Sequence, residues 1–250
     1  MSKNLFSIRL FVPSFITVLA ICAGIASLRS ALAGNFFNSL LLLLTASFLD
    51  GLDGRVARAL KVNTSFGGQL DSLADVINFG VIPPLILYFY ILNQYEHLGW
   101  IIVVTYTVAC CLRLARFNVN LESDNTNEWE KYYFVGLPSP GGALLLLLPI
   151  YIAETINTDL VFNKEFIIIS SIYAIVISFL LISRFPIANG KALGTNFKIE
   201  TIIFALLIAG AFISLLMTYL WIIMLLFSIV YFIFIPISYY YWHKNYGNLE

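Results

Sequence analysis

Apolar residues run along this chain in stretches of membrane-crossing length, broken by short polar segments. Such runs predict eight helical spans, at about 10–33, 36–58, 69–93, 97–118, 139–156, 165–184, 199–218 and 220–242. A span needs roughly 20 apolar residues to cross the hydrocarbon layer. A closed β-barrel is the other way to satisfy backbone groups in lipid, but it alternates apolar with polar positions. Leu40 to Leu44 and Leu144 to Leu148 are unbroken leucine runs, so the fold class is all-α, a polytopic transmembrane helical bundle. No second domain, low-complexity segment or clear repeat interrupts the pattern, and residues 1–250 read as a single integral-membrane domain.

Composition agrees. Only 11% of residues are charged and 60% are apolar, against about 25% charged in a soluble domain. Zero formal charge gives no basic surface for nucleic acid. With eight spans, 12 of the 14 Lys and Arg fall on one side, leaving Arg29 and Lys164 for the other. The positive-inside rule makes the richer side cytoplasmic and puts both termini there. The apolar stretch after Lys3 and Arg9 resembles a signal peptide, but Arg29 precedes the small-residue site at Ala31–Ala33, and a retained first span preserves the charge parity. Cys22, Cys110 and Cys111 sit in apolar runs without zinc-type spacing, and His97 and His243 are isolated at span ends. The polar stretch from Asn118 to Lys131 reads as a solvated cytoplasmic loop.

Chemistry concentrates where the second and third spans meet. Asp50, Asp53, Asp71 and Asp75 lie at their edges, and an ionisable group at membrane depth costs about 2.5–3.5 kcal/mol even on the lenient scale. Residues three or four apart share a helix face. Asp50, Asp53, Gly54, Ala57 and Arg58 therefore form one stripe, and Gly67, Asp71, Asp75 and Asn78 a second. A short turn between antiparallel helices aims the two stripes at each other. Four converging carboxylates cannot all stay ionised without cations. All-oxygen ligands favour hard ions, Mg²⁺ or Mn²⁺, and a pair of them can clamp a phosphoryl displacement. Gly54 and Gly67 let a bulky ligand lie against backbone, and Arg58 suits a phosphate.

The run from Asp50 to Asp75 resembles the signature of the CDP-alcohol phosphatidyltransferase family: D-x-x-D-G-x-x-A-R, eight residues, then G-x-x-x-D-x-x-x-D. The resemblance implies that Asp50, Asp53 and Asp71 bind metal with Asp71 bridging two ions, and that Asp75 binds the second ion and acts as base. It implies CDP-lipid contacts at Gly54, Ala57, Arg58, Thr64 and Gly67. The family also reads the lipid through an Asn-x-x-Thr in the first span, matched here by Ser14-Phe-Ile-Thr17, with serine in place of asparagine. A homodimer with a six-helix core is implied, so two of the eight spans would be additions.

The segments Gln69 to Asp75, Arg113-Leu-Ala-Arg116-Phe-Asn118, Gly136-Leu-Pro-Ser-Pro140 and Ser183-Arg-Phe-Pro186 with Gly190-Lys191 look like the phosphatidylserine synthase branch. This implies CDP-diacylglycerol and L-serine as substrates and a cytoplasm-facing site in the plasma or inner membrane. Arg116 is the first candidate for the serine carboxylate, with Arg113 beside it and Asn118 or Asn78 for the ammonium. Positive-inside topology accounts for the arginines equally well. Two other classes use membrane carboxylates. Intramembrane prenyltransferases place two acidic motifs in separate halves of the chain, and cation transporters place such groups near the bilayer midplane.

Overall fold

The computed structural model describes residues 8–62, 64–122, 129, 133–188 and 214–246. Its helices are α1 (Ile8–Leu32), α2 (Phe36–Leu60), α3 (Ser65–Asp75), α4 (Ile82–Tyr90), α5 (Glu96–Glu122), α6 (Ser139–Leu146), α7 (Leu148–Ile156), α8 (Lys164–Ile182) and α9 (Leu220–Tyr246). Two three-residue strands, β1 (Tyr133–Val135) and β2 (Pro186–Ala188), pair antiparallel with Phe134 opposite Ile187. Helices α3 and α4 form one span through a π-helical turn at Val76–Val81, and α6 and α7 form another. Among the described residues seven segments are long and apolar enough to cross a membrane, so the chain is an integral membrane protein with a helical bundle. The expected span at 199–218 lies mostly outside the described residues, of which 214–218 are helical.

Helices α1 and α2 form a hairpin. Gly34 turns the chain at φ +75°, a left-handed conformation that glycine adopts without a Cβ clash. Asn35 caps α2 by accepting the Asn38 N–H at 3.1 Å. Small buried residues let the two helices approach closely, and the Ser27 hydroxyl donates to the Ser39 carbonyl at 2.7 Å. Lys61 ends α2 in the left-handed region at φ 55°, its N–H turned back to the Ala57 and Arg58 carbonyls. Thr64 then starts α3 by accepting the Gly67 N–H at 3.0 Å. The third span thus begins four residues before the expected 69, because the cap lies ahead of the apolar run.

Prolines account for both irregular spans. Pro83 and Pro84 open α4, and Pro84 has no N–H for the Gly80 carbonyl one turn earlier. The Thr107 hydroxyl of α5 takes that carbonyl instead, at 2.9 Å, and the ladder widens into the π turn. Pro149 likewise separates α6 from α7 at Leu147, where a single span was expected. Tyr106, Tyr151 and Phe79 are fully buried among α4 to α8, whereas Ile168, Ile169, Ile172 and Phe179 of α8 face outward as a lipid-facing helix should.

Candidate active site

The α2–α3 turn brings the two acidic stripes together. Asp50 and Asp53 from α2 and Asp71 from α3 each present a carboxylate oxygen within 4.8 Å of the others. Asp75, one turn further along α3, lies within hydrogen-bonding range of Asp50. Asp53 is only 3% exposed, and the Thr17 hydroxyl of α1 sits 2.6 Å from its Oδ2, fixing the carboxylate's direction. One oxygen of Asp50 is buried without a hydrogen-bond partner. Arg113 is the cation that acts on Asp75. Four oxygen-donor groups, converging from α2 and α3 with a lone pair unused, fit a hard divalent cation.

A cleft of about 280 Å³ opens beside the aspartates, between α1, the end of α2 and the start of α3. All six residues expected to contact a CDP-lipid line it: Thr17, Gly54, Ala57, Arg58, Thr64 and Gly67. Ser14 lines it as well, where the family pattern has asparagine. A Cβ at Gly67 would stand 3.0 Å from the Thr64 hydroxyl oxygen and 3.9 Å from that of Ser14, so any side chain there would fill the cleft. At Gly54 the nearest atom to such a Cβ is an Arg58 nitrogen at 3.6 Å. No packing demand therefore explains that glycine, and open cleft does. The α3 N-terminus also faces this space, and helix N-termini suit phosphate groups.

The residues expected at the acceptor are not gathered in one place. Arg116 donates to backbone carbonyls: Ile182 at 2.7 Å, Ser183 at 3.1 Å and Val135 at 3.3 Å. Those bonds fasten the C-terminus of α8 and strand β1 to α5. Gly136, at φ +84°, makes room for this clamp, since a Cβ would stand 2.9 Å from the Arg116 guanidinium. Asn118 donates to the Ser72 hydroxyl at 3.0 Å and so ties α5 to α3. Asn78 is fully buried in the π turn, both amide atoms unpartnered, with its oxygen against Gly24 of α1. Of the two arginines Arg113 is the one whose charge acts on Asp75, and it donates to the Ser139 hydroxyl at the start of α6. Ser139 was part of a quoted segment but not singled out as a site residue. Arg184 is exposed, and Gly190 and Lys191 lie outside the described residues.

Comparison with known proteins bears on the same residues. The family model for CDP-alcohol phosphatidyltransferase matches residues 10–176, which contain the four aspartates and the cleft. A CDP-diacylglycerol–serine O-phosphatidyltransferase of Mycobacterium tuberculosis is 44% identical over 136 residues, covering 54% of this chain and 47% of that relative. The chain thus spans about half the length of the mycobacterial relatives it matches. A protein of the same name from Helicobacter pylori is 34% identical over 187 residues, covering 75% of this chain and 76% of its own length. One from Methanocaldococcus jannaschii is 35% identical over 183 residues, covering 72% and 75%. With the signature residues gathered around one cleft and the matched segment reaching from α1 into α8, the chain belongs to the CDP-alcohol phosphatidyltransferase family.

Proposed function

We propose that this protein transfers the phosphatidyl group of CDP-diacylglycerol to L-serine, forming phosphatidylserine and CMP. The observation that carries the reading is the convergence of Asp50, Asp53 and Asp71 at the mouth of a cleft lined by Gly54, Arg58 and Thr64. The cleft receives the CDP moiety, with Arg58 and the α3 N-terminus facing the pyrophosphate. Asp50, Asp53, Asp71 and Asp75 would hold two divalent cations, Mg²⁺ or Mn²⁺. When bound, these ions neutralise charge on the phosphates and polarise the phosphoryl group under attack. Asp75 takes the proton from the serine hydroxyl, and the freed oxygen forms a bond to the β-phosphorus. The bond from that phosphorus to the bridging oxygen breaks, and CMP leaves with the electron pair. Thr17 keeps Asp53 aimed at the ions.

Serine as acceptor is supported by the names of three relatives at 34–44% identity. The split of 12 basic residues against 2 supports an active site and both termini on the cytoplasmic side of the plasma or inner membrane. A homodimer rests on the family resemblance. Among the described residues there is a single acidic cluster, which does not suit a prenyltransferase with two motifs.

The test is CMP release from CDP-diacylglycerol with Mn²⁺ across serine, ethanolamine, inositol and glycerol 3-phosphate. Serine should be strongly preferred, and equal release with all four would defeat the assignment. For orientation, a cysteine at Lys61 should be shielded from an impermeant thiol reagent in intact cells while one at Asn157 reacts. Labelling at Lys61 from outside would reverse the topology.

A further inference from the structure

Helix α6 begins at Ser139 behind Pro138, with no side chain capping it. Of its first-turn groups, Pro140 has no N–H and the Gly142 N–H already reaches the Pro138 carbonyl at 2.8 Å. The N–H groups of Ser139 and Gly141 have no partner within the helix, and the helix dipole adds partial positive charge at this end. Into this positive end runs a cation. Arg113 is 8% exposed and one Nη donates to the Ser139 hydroxyl, while its Nε is buried with no partner. A guanidinium belongs at the opposite end of a helix, and a buried charge short of a counter-ion costs several kcal/mol. Asp75 is the carboxylate that acts on Arg113, and in the proposed reaction Asp75 is engaged by metal. One more negative charge is needed here.

Two further donors face the same turn. The Tyr106 hydroxyl of α5 and the Tyr231 hydroxyl of α9 are both buried without partners. A Cβ at Gly141 would stand 2.5 Å from the Tyr231 hydroxyl oxygen, and one at Gly142 would stand 3.1 Å from that of Tyr106. The two glycines are what let these hydroxyls reach the helix end. A guanidinium, two phenolic O–H groups and two backbone N–H groups form a donor set with no acceptor of its own beyond the hydroxyl oxygens. That set matches a carboxylate, which only accepts and offers about four lone pairs.

We infer that the first turn of α6, with Arg113, Tyr106 and Tyr231 around it, receives the carboxylate of the acceptor amino acid. The inference rests on the proposed transfer to serine and names where its carboxylate is read. Asp75, the proposed base, is the carboxylate whose charge acts on the same arginine. Tyr231 lies outside residues 10–176, which match the family model, so part of acceptor selection comes from a helix beyond that segment.

The experiment is CMP release by the full chain with CDP-diacylglycerol and Mn²⁺, varying serine and ethanolamine. Arg113→Gln should lower the preference for serine over ethanolamine, read as the ratio of their kcat/KM values, about 100-fold, the worth of a charge-assisted pair. Tyr231→Phe removes one oxygen and should raise the serine KM about fivefold at unchanged kcat. A purely structural role would instead leave the serine-to-ethanolamine ratio of kcat/KM unchanged in both variants, which overturns the inference. If Arg113→Gln shows no thermal stabilisation by CDP-diacylglycerol with Mn²⁺, it has not folded, and Tyr231→Phe decides. An unchanged serine KM in Tyr231→Phe then overturns the carboxylate site. Preference of the wild type for glycerol 3-phosphate, weakened by Arg113→Gln, would replace the carboxylate with a phosphate and overturn the assignment too. A wild type that releases no CMP with any alcohol would defeat the reaction itself, a distinct failure.

Discussion

The α1–α3 half of the site and the α5–α6 half are built on different plans. In the first, the chemistry comes from residues three or four apart on two consecutive helices, and the turn between them does the rest. Asp50, Asp53 and Asp71 converge because of helical periodicity, and one hydroxyl from α1 completes them. In the second, Arg113, Arg116 and Asn118 share one short helical stretch, yet each goes to a different neighbour: α6, the α8–β1 clamp and α3 respectively. Spacing puts side chains on a face. Only the packing of other helices decides what they meet there.

The largest effect should come from the carboxylates. Asp75→Asn should lower turnover by about 10³-fold, within the range for loss of a general base, while CDP-diacylglycerol still stabilises the protein against heat. Asp71→Asn should lose metal-dependent stabilisation as well, because a neutral amide cannot replace a bridging carboxylate. If Asp75→Asn retained near-normal turnover, the base would lie elsewhere and the first half would be a binding site only.

Next comes Thr17, which joins α1 to the aspartates. Thr17→Val keeps the shape and removes the hydroxyl 2.6 Å from Asp53. Outer partners of metal ligands are worth roughly 10–100-fold in metal affinity, so half-saturating Mn²⁺ should rise about tenfold. An unchanged Mn²⁺ dependence would mean that Asp53 needs no orienting partner and that Thr17 serves the CDP-lipid alone.

This division also explains what could be read from the chain. The helical bundle followed from apolar runs, and the aspartate cluster from spacing within residues 50–75. Gly54, Gly67 and Arg58 were legible from spacing and chemistry, Thr17, Ala57 and Thr64 only through the family pattern, and all six line one cavity. The π turn was not foreseen, although Pro83 and Pro84 carried its cause, since they leave a carbonyl that Thr107 of another helix satisfies. The same holds for the break before Pro149. The partners of Arg116 were out of reach because they are backbone carbonyls 19, 66 and 67 positions away, and a carbonyl has no letter in a sequence. Tyr231 was invisible for a similar reason: an aromatic in an apolar run looks like any lipid-facing residue until Gly141 is found against it.

Arg116 offers a sharper contrast with Arg113. Its guanidinium is committed to three carbonyls at the end of α8 and in β1, where a cation complements the helix C-terminus. Arg116→Ala should lower the thermal midpoint by about 5 °C, from about 2 kcal/mol of lost charge-assisted bonding, and reduce kcat a few-fold for serine and ethanolamine alike. Its serine KM should stay within about twofold of wild type. A large rise in KM would return Arg116 to the acceptor and erase the difference between the two arginines.

The smallest effect tests whether the two halves are joined at all. Ser72 sits on α3 between Asp71 and Asp75, and the Asn118 amide donates to its hydroxyl at 3.0 Å from α5. This is a side-chain bond directly linking the helix that carries Asp71 and Asp75 to the helix that carries Arg113. Ser72→Ala and Asn118→Ala should each cost about 1 kcal/mol, the ordinary worth of a neutral hydrogen bond. Because the two side chains satisfy one another, the double variant should be less stable than wild type by little more than either single one, a coupling of about 1 kcal/mol in a double-mutant cycle. Turnover should fall only about twofold in every case, equally for serine and ethanolamine, since the bond holds a helix and touches no substrate. Strict additivity in the thermal unfolding of the four proteins would show that α3 and α5 are held together by packing alone. A change in acceptor preference in Ser72→Ala would instead place this pair inside the acceptor site, and the border between the two halves would have to move to α3 itself.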